Sequence, residues 1–207
     1  MSLQSLMEGV VAAAAADGPG LIAARAEWDA RSGKVFDDDP LYEERTTAFL
    51  EWFALERVDG AGLTYIERHL QTVTEGRDAL TLLSRTHRSL FRVRQVDEQQ
   101  FVLDDLLTGC RFSVHERRTP LALNEGDIFE ARLCPRPDAS GEVLLTRAIQ
   151  HHPREAADVI AELAEESRKN CERRDEALFR LAKLRWKSAR WGHVQPERIY
   201  RGDAEVE

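Results

Sequence analysis

The segment from residue 84 to residue 152 constrains the fold most, because it alone changes from helical periodicity to short strands separated by turns. Apolar residues alternate along it with a period of two, as at Phe91 and Val93, which places them on one face of a strand. Turn-forming pairs such as Thr108-Gly109 interrupt the alternation. The pattern predicts five strands: Ser89–Val96, Gln100–Leu106, Cys110–Glu116, Asp127–Cys134 and Glu142–Ile149.

Five short antiparallel strands spaced this closely favour a small barrel, because closure removes exposed strand edges. We therefore predict an α+β fold: N-terminal helices, a central five-stranded antiparallel small barrel or curled sheet, and C-terminal helices. The predicted domains are a helical N-terminal region (1–84), a small β-domain (85–152), a C-terminal helical region (153–192) and an irregular tail (193–207).

The N-terminal region contains several helix signals. Thr64 and Glu67 form a capping box, in which each side chain satisfies a backbone N–H at the helix start. Asp39 is well placed as an N-cap, with Pro40 at the first helical position. The helix that follows is apolar over much of its girth and should be largely buried. The other predicted helices are Ser2–Ala16, Leu21–Arg31 and Glu75–Ser84, and the one after Asp39 is Pro40–Leu55.

After the strands, helical periodicity resumes near Pro153. The stretch from Arg168 to Asp175 is polar nearly all round. Either one long helix crosses a solvent gap there, or two helices meet.

Composition limits the classes of protein. The 207 residues carry a net charge of -8, and no apolar run approaches the roughly 20 residues that span a bilayer. Cys110, Cys134 and Cys171 contain no closely spaced pair, which is typical of free thiols in a reducing compartment. We therefore predict a cytoplasmic protein with no membrane partner and no cofactor.

The charge is unevenly distributed. Residues 1–60 hold twelve acids and five bases, whereas residues 168–191 hold nine bases and three acids. The two poles could pair within one molecule or between copies, or the basic pole could meet an anionic partner. The overall negative charge argues against nonspecific affinity of the whole molecule for nucleic acid.

A family resemblance rests on five segments: Phe49–Phe53, Gly62–Arg68, Asp104–Gly109, Phe112–Arg117 and Gly126–Leu133. Over residues 48–134 the chain resembles a poorly characterised class of bacterial proteins in which a helical Phe- and Trp-containing segment precedes a small β-domain. Many members of that class end in a SEC-C zinc motif. This chain has no cysteine pair, so no zinc ligand carries over, and the resemblance implies architecture without an activity.

Two clusters resemble metal sites at first sight. The run Asp37-Asp38-Asp39 could hold a divalent cation, but acids before a helix also favour the positive end of its dipole. His151 and His152 are adjacent, and neighbouring side chains usually diverge. No phosphate-binding glycine motif or nucleophile elbow occurs. We assign no catalytic, cofactor-binding or metal-binding residue.

The best functional candidate is the basic helix from Ala177 to Trp191, where cations interleave with aromatic residues. Such a helix suits nucleic-acid backbones and bases, or an acidic groove on a protein. The alternative is that its apolar residues pack on the core while the bases are solvated. The predicted partner-binding residues are Arg180, Lys183, Arg185, Trp186, Lys187, Arg190 and Trp191.

Three functions remain open at this point. The first is a non-catalytic interaction module that binds a protein partner or a second copy. The second is nucleic-acid binding through the barrel face and the basic helix. The third is an enzyme of unknown class that uses Asp or Glu with His. The arginines that would serve the second function on the barrel are Arg85, Arg88, Arg92, Arg94, Arg111, Arg117 and Arg118.

The apolar residues of the basic helix do not form one narrow stripe, so the helix needs two surfaces to pack against. We predict that Trp186 or Trp191 stays partly exposed and marks a contact surface. Replacing both with alanine should leave the barrel folded and abolish association with an acidic partner or second copy, as measured by gel filtration and circular dichroism. Full burial of both indoles within one chain would contradict this prediction.

Overall fold

The computed structural model describes residues 3–97, 100–115, 123–136 and 142–203. Within these residues it contains eight α-helices and a five-stranded barrel, an α+β fold as predicted. The helices are α1 Leu3–Ala15, α2 Gly18–Ser32, α3 Tyr42–Leu55, α4 Tyr65–Thr72, α5 Arg77–Ser84, α6 Ala157–Lys169, α7 Arg174–Arg190 and α8 Pro196–Arg201. The strands are β1 His87–Val96, β2 Gln100–Asp105, β3 Arg111–His115, β4 Ile128–Pro135, β5 Val143–Leu145 and a two-residue β6, Gln150–His151.

The barrel strands follow the order β1-β2-β3-β5-β4, and a pairing between β1 and β4 closes the ring. The prediction of an entirely antiparallel sheet is wrong at one place, because β3 pairs with β5 in parallel through Val114 and Val143. A closed ring with an odd number of strands cannot alternate direction at every junction. One parallel pair is therefore required, and this barrel places it beside its shortest strand.

Strand β4 is buried on both of its faces. Phe129, Ala131 and Leu133 point into the barrel, as the alternation predicts. The intervening side chains point outward, yet they are buried too, because helices cover this side of the barrel. Outside the barrel, Leu90 and Ile128 pack against apolar residues of α6, α7 and α8. A separate apolar cluster joins α1–α5 to α7 through the aromatic rings of Trp28, Trp52, Phe49 and Phe179.

Helix α3 begins at Tyr42, and Asp39 does not serve as its N-cap. The Asp39 carboxylate is buried, forms an ion pair with Arg45 and accepts a hydrogen bond from the Leu41 N–H at 2.8 Å. The Arg45 guanidinium, one turn into α3, thus holds the Asp39 carboxylate, which lies ahead of the helix in the chain. The predicted burial of α3 is confirmed, since eight of its residues are buried.

Two helices meet in the polar stretch between residues 168 and 175, with Cys171 in a left-handed conformation (φ 52°). The prediction of an irregular tail is wrong for residues 196–201, which form α8. Its Ile199 and Tyr200 are buried, and the Tyr200 hydroxyl lies 2.6 Å from Nδ1 of the buried His152. A proline at the first turn was the available sequence signal for this helix.

A buried ion network connects the barrel to helix α3. Arg88 on β1 reaches Glu130 on β4 (2.7 Å from Nε), and Arg132 on β4 forms ion pairs with Glu51 and Glu56 of the α3 segment. Burial raises the pKa of Glu51. Burial opposes ionisation of Glu56 as well, but the charges of Arg132 and Arg88 outweigh it and lower the pKa of that carboxyl.

Further hydrogen bonds extend this network. The Thr146 hydroxyl donates to Glu51 at 2.8 Å, and the Gln150 amide donates to Glu130 at 3.0 Å. Arg88 also lies over the rings of Trp28 (5.6 Å) and Phe179 (5.5 Å). The network therefore joins β1, β4 and the strand-like segment after β5 to the helical layer.

Removing one partner from a buried ion pair leaves the other charge uncompensated. We expect Arg132→Met to lower the free energy of unfolding by about 3 kcal/mol, as measured by urea denaturation. The matched control is Arg111→Met, because Arg111 is 57% exposed and pairs with Asp104 at the surface. That substitution should change the free energy of unfolding by no more than about 0.5 kcal/mol. Equal effects of the two substitutions would contradict a structural role for the network.

His152 makes the stability depend on pH. Burial, assisted by the charge of Arg185, lowers the pKa of His152 from 6.5 to about 3. Between these values the unfolded chain binds a proton that the folded chain does not, so stability falls as the pH falls below 6.5. From pH 7 to pH 5 we expect wild type to lose about 2 kcal/mol more than His152→Gln. Urea denaturation at both pH values checks this, and equal losses would refute it.

Candidate binding surfaces

Helix α7 divides the predicted partner-binding residues into two groups. Arg185 is buried, donates to the carbonyl of His151 and forms an ion pair with Glu44. Arg180 donates to the Ser167 hydroxyl at 2.8 Å and to Glu172 at 3.0 Å. These two arginines are engaged inside the molecule. The ion pair between Arg185 and Glu44 therefore joins the basic and acidic poles within one molecule, as one of the predicted alternatives had it.

The remaining predicted residues face solvent at least in part. Lys183 and Arg190 are exposed, and Trp186, Lys187 and Trp191 are half-buried. The Trp186 ring packs on Gly33, where an added Cβ would lie 3.3 Å from it and where φ is +90°. Glycine suits this position because it allows both the backbone conformation and the close approach of the indole.

Cations alternate with aromatic rings around Trp186. The Arg190 guanidinium lies 5.3 Å from the Phe36 ring and 5.8 Å from the Trp186 ring. The Lys187 ammonium lies 5.8 Å from Trp191, whose ring is 6.1 Å from that of Trp186. The Lys34 ammonium lies 5.2 Å from the Phe36 ring. We call this set the cation–aromatic patch: Lys34, Phe36, Trp186, Lys187, Arg190 and Trp191.

The cations of this patch are stacked but not neutralised. Within the described part of the chain, none of the ion pairs involves Lys34, Lys187 or Arg190. Asp37 and Asp38 are exposed nearby, next to Phe36, which is itself 39% exposed. A cation–π contact orients a cation while leaving its hydrogen-bond donors free. The patch therefore offers oriented donors beside exposed aromatic surface.

Most of the barrel arginines that the structure describes are engaged within the molecule. Arg88 is buried in the ion network, which makes its predicted role at the surface wrong. Arg92 donates to the carbonyl of Ala157, and Arg94 and Arg111 share Asp104. Arg85 is exposed, while Arg117 and Arg118 lie outside the described residues.

A second surface feature is an open groove of about 460 Å³ between α2, the end of α3 and the start of α7. Four arginines line it, and we call it the arginine groove: Arg31, Arg57, Arg173 and Arg174. Trp52, Glu56 and Leu178 also line it, so it reaches the outer end of the buried ion network. Sequence reasoning missed this groove, because its arginines come from three separate segments.

Ion pairs hold three of the groove arginines. Asp175 accepts from Arg31 and from Arg173, each at 3.0 Å, and Glu27 accepts from Arg57 at 2.9 Å. Arg31 also reaches Glu176 at 2.9 Å. Burial opposes ionisation of Asp175, but its hydrogen bonds with Arg31 and Arg173 outweigh burial and lower the pKa of this carboxyl.

Arg174 differs from the other groove arginines, because it donates to Nδ1 of His87 at 2.8 Å. Nε2 of His87 lies 2.7 Å from the Asp105 carboxylate, which also accepts from the Ser89 hydroxyl at 2.6 Å. Ser89 and His87 both contact Asp105 and not each other. In a catalytic triad the serine would contact the histidine, so this arrangement does not activate a nucleophile. Asp105 also accepts from the N–H groups of the following turn, at Leu107 and Thr108.

Among the described residues, no group of three or more His, Cys, Asp and Glu side chains could hold a metal ion. Asp39 is paired with Arg45, and His151 lies at the surface whereas His152 is buried. Burial raises the pKa of the Cys134 thiol to about 11, which keeps it protonated at neutral pH. No single helix in the described chain is long and apolar enough to cross a bilayer, although α1 and α2, bent by 100°, pass that test as a pair.

Comparison with known proteins gives no relative: no family model matches the chain, and neither the curated proteins nor the solved structures include a match. The resemblance to bacterial proteins with a small β-domain therefore stays a prediction.

Proposed function

We propose that the protein is a non-catalytic cytoplasmic binding module that recognises an acidic segment of a protein partner through the cation–aromatic patch. The observation that carries the proposal is the set of three stacked cations, Lys34, Lys187 and Arg190, without a carboxylate partner among the described residues. Carboxylates would meet oriented donors there, and neighbouring apolar side chains would pack against Trp186 and Trp191.

The position of the patch also supports this proposal. Lys187 and Arg190 lie in the last turn of α7, where the negative end of the helix dipole stabilises cations. The patch combines the C-terminal end of α7 with the connection between α2 and α3, where Arg45 donates hydrogen bonds to the carbonyls of Gly33 and Lys34. The backbone that carries the donors is therefore held in place before binding. A net charge of -8 disfavours a long polyanion such as nucleic acid, which would lie along much of the surface, more than a short acidic segment.

Nucleic-acid binding is the second candidate, and the barrel favours it. A closed five-stranded barrel in which β4 returns to pair with β1 is similar in architecture to the OB-fold, whose strands 2 and 3 often bind oligonucleotides. This is an argument from fold alone. Single-strand binding usually needs exposed rings on that face. The outward-facing described side chains of β2 and β3 include no ring: Gln100, Val102, Asp104, Arg111 and Ser113.

Charge reversal on the patch tests the two candidates together. The probes are a fluorescein-labelled twelve-residue peptide of alternating Glu and Leu and a labelled oligothymidine. We expect the peptide to bind and Lys187→Glu/Arg190→Glu to weaken that binding by at least about tenfold, since two charge-assisted contacts become repulsive. Fluorescence anisotropy at fixed salt measures both.

The matched control is Arg94→Glu/Arg111→Glu, which changes the net charge equally on the barrel. It should alter peptide affinity by less than about threefold. If the control double weakens peptide binding as much as the patch double, the patch is not the site. Oligothymidine binding that depends on the control pair would favour the second candidate. Binding of neither probe by the wild-type chain would contradict both.

A further inference from the structure

We propose that the arginine groove binds a small phosphorylated molecule, with Arg57 and Arg174 as its principal phosphate contacts. This inference concerns a different surface from the cation–aromatic patch and does not rest on the proposed function. A groove of about 460 Å³ has the size of a small-molecule site. Seven of its ten lining residues are charged, which points to a charged ligand.

The charge balance of the groove favours an anion. The carboxylate at its inner end, Glu56, is already paired with Arg132 and Arg88 in the buried network. The four groove arginines are then opposed by Glu27 and Asp175 in the groove and by Glu176 beside it. In the described chain Arg174 contacts the Nδ1 atom of a histidine and no carboxylate. One guanidinium therefore remains without an anionic partner.

The sequence of α7 adds an independent argument. Arg173 is the N-cap residue of this 17-residue helix and Arg174 its first residue, and the cap has no side-chain hydrogen bond. Cations at a helix N-terminus oppose the dipole, so this placement is unfavourable without an anion. Residues that destabilise the helix to which they belong are expected mainly at functional sites. Asp175 and Glu176 offset this cost in part.

Phosphate suits the groove better than a single carboxylate does. A phosphate group presents at least three oxygens, and guanidinium forks recognise it through paired hydrogen bonds. Arg31 is held by its contact with Phe179, at 3.7 Å from the ring, and by Asp175. Arg57 is held against Glu27 and is only 19% exposed. Arg173 and Arg174 are exposed, so they can close on a ligand from the mouth of the groove.

Isothermal titration calorimetry of the full chain with inorganic pyrophosphate at low salt tests the proposal. We expect saturable binding at one site per chain, weakened by about tenfold or more in Arg57→Gln/Arg174→Gln, since each change removes a charge-assisted hydrogen bond. The matched control is Arg168→Gln/Arg198→Gln, which removes two exposed cations outside the groove. That pair should change the affinity by less than about twofold. Urea denaturation establishes that both double variants are folded. If Arg57→Gln/Arg174→Gln is unstable, the single variant Arg174→Gln takes its place.

Three results would overturn the proposal. The first is the absence of saturable pyrophosphate binding by the wild-type chain. The second is an equal loss of pyrophosphate affinity in the two double variants. The third is an unchanged affinity in a folded variant of the groove arginines. A second arm uses a phosphoserine peptide and its unphosphorylated counterpart. Binding of the phosphopeptide without binding of pyrophosphate would show that the groove reads a modified protein and not a small molecule.

Discussion

The ion network between the barrel and helix α3 is the interaction on which the rest of the structure depends. Arg88, Glu130 and Arg132 point away from the barrel interior, yet they are buried because helices cover β1 and β4. Buried charges are tolerated only when they are paired and hydrogen-bonded. Glu51 and Glu56 supply that pairing from α3. The network therefore fixes how the helices lie on the barrel, since a shift of α3 would leave several charges without partners.

This arrangement determines where the chain can bind other molecules. One side of the barrel is covered by helices, and Arg94 and Arg111 on its exposed surface are paired with Asp104. The cation–aromatic patch and the arginine groove lie at opposite ends of α7. At the C-terminal end, the cations are stacked on rings and agree with the helix dipole. At the N-terminal end, Arg173 and Arg174 oppose the dipole. We therefore proposed an acidic protein segment as the partner of the first end and a compact anion as the ligand of the second.

Local sequence rules predicted the secondary-structure elements better than the burial and contacts of the residues in them. The capping box at Thr64 and Glu67 is present, and the first four strands lie within two residues of their predicted bounds. The fifth, predicted over Glu142–Ile149, is confined to Val143–Leu145. Alternation correctly placed Phe129 and Leu133 inside the barrel. It could not show that Glu130 is buried as well, because strand periodicity describes faces and not what covers them. Of the candidate site, sequence predicted the aromatic and basic residues of α7. It did not separate Arg185, which is buried, from Arg190, which is exposed.

The sequence by itself determined the α+β class, the barrel segment and the basic end of the chain, because hydrophobic periodicity, turn residues and charge are local properties. The tertiary structure decided the parallel β3–β5 pair, the docking of α8 through Tyr200 and His152, and the arginine groove. Each of these requires segments far apart in the chain to meet. Ring closure, burial and charge pairing act between such segments, so no window of the sequence contains them.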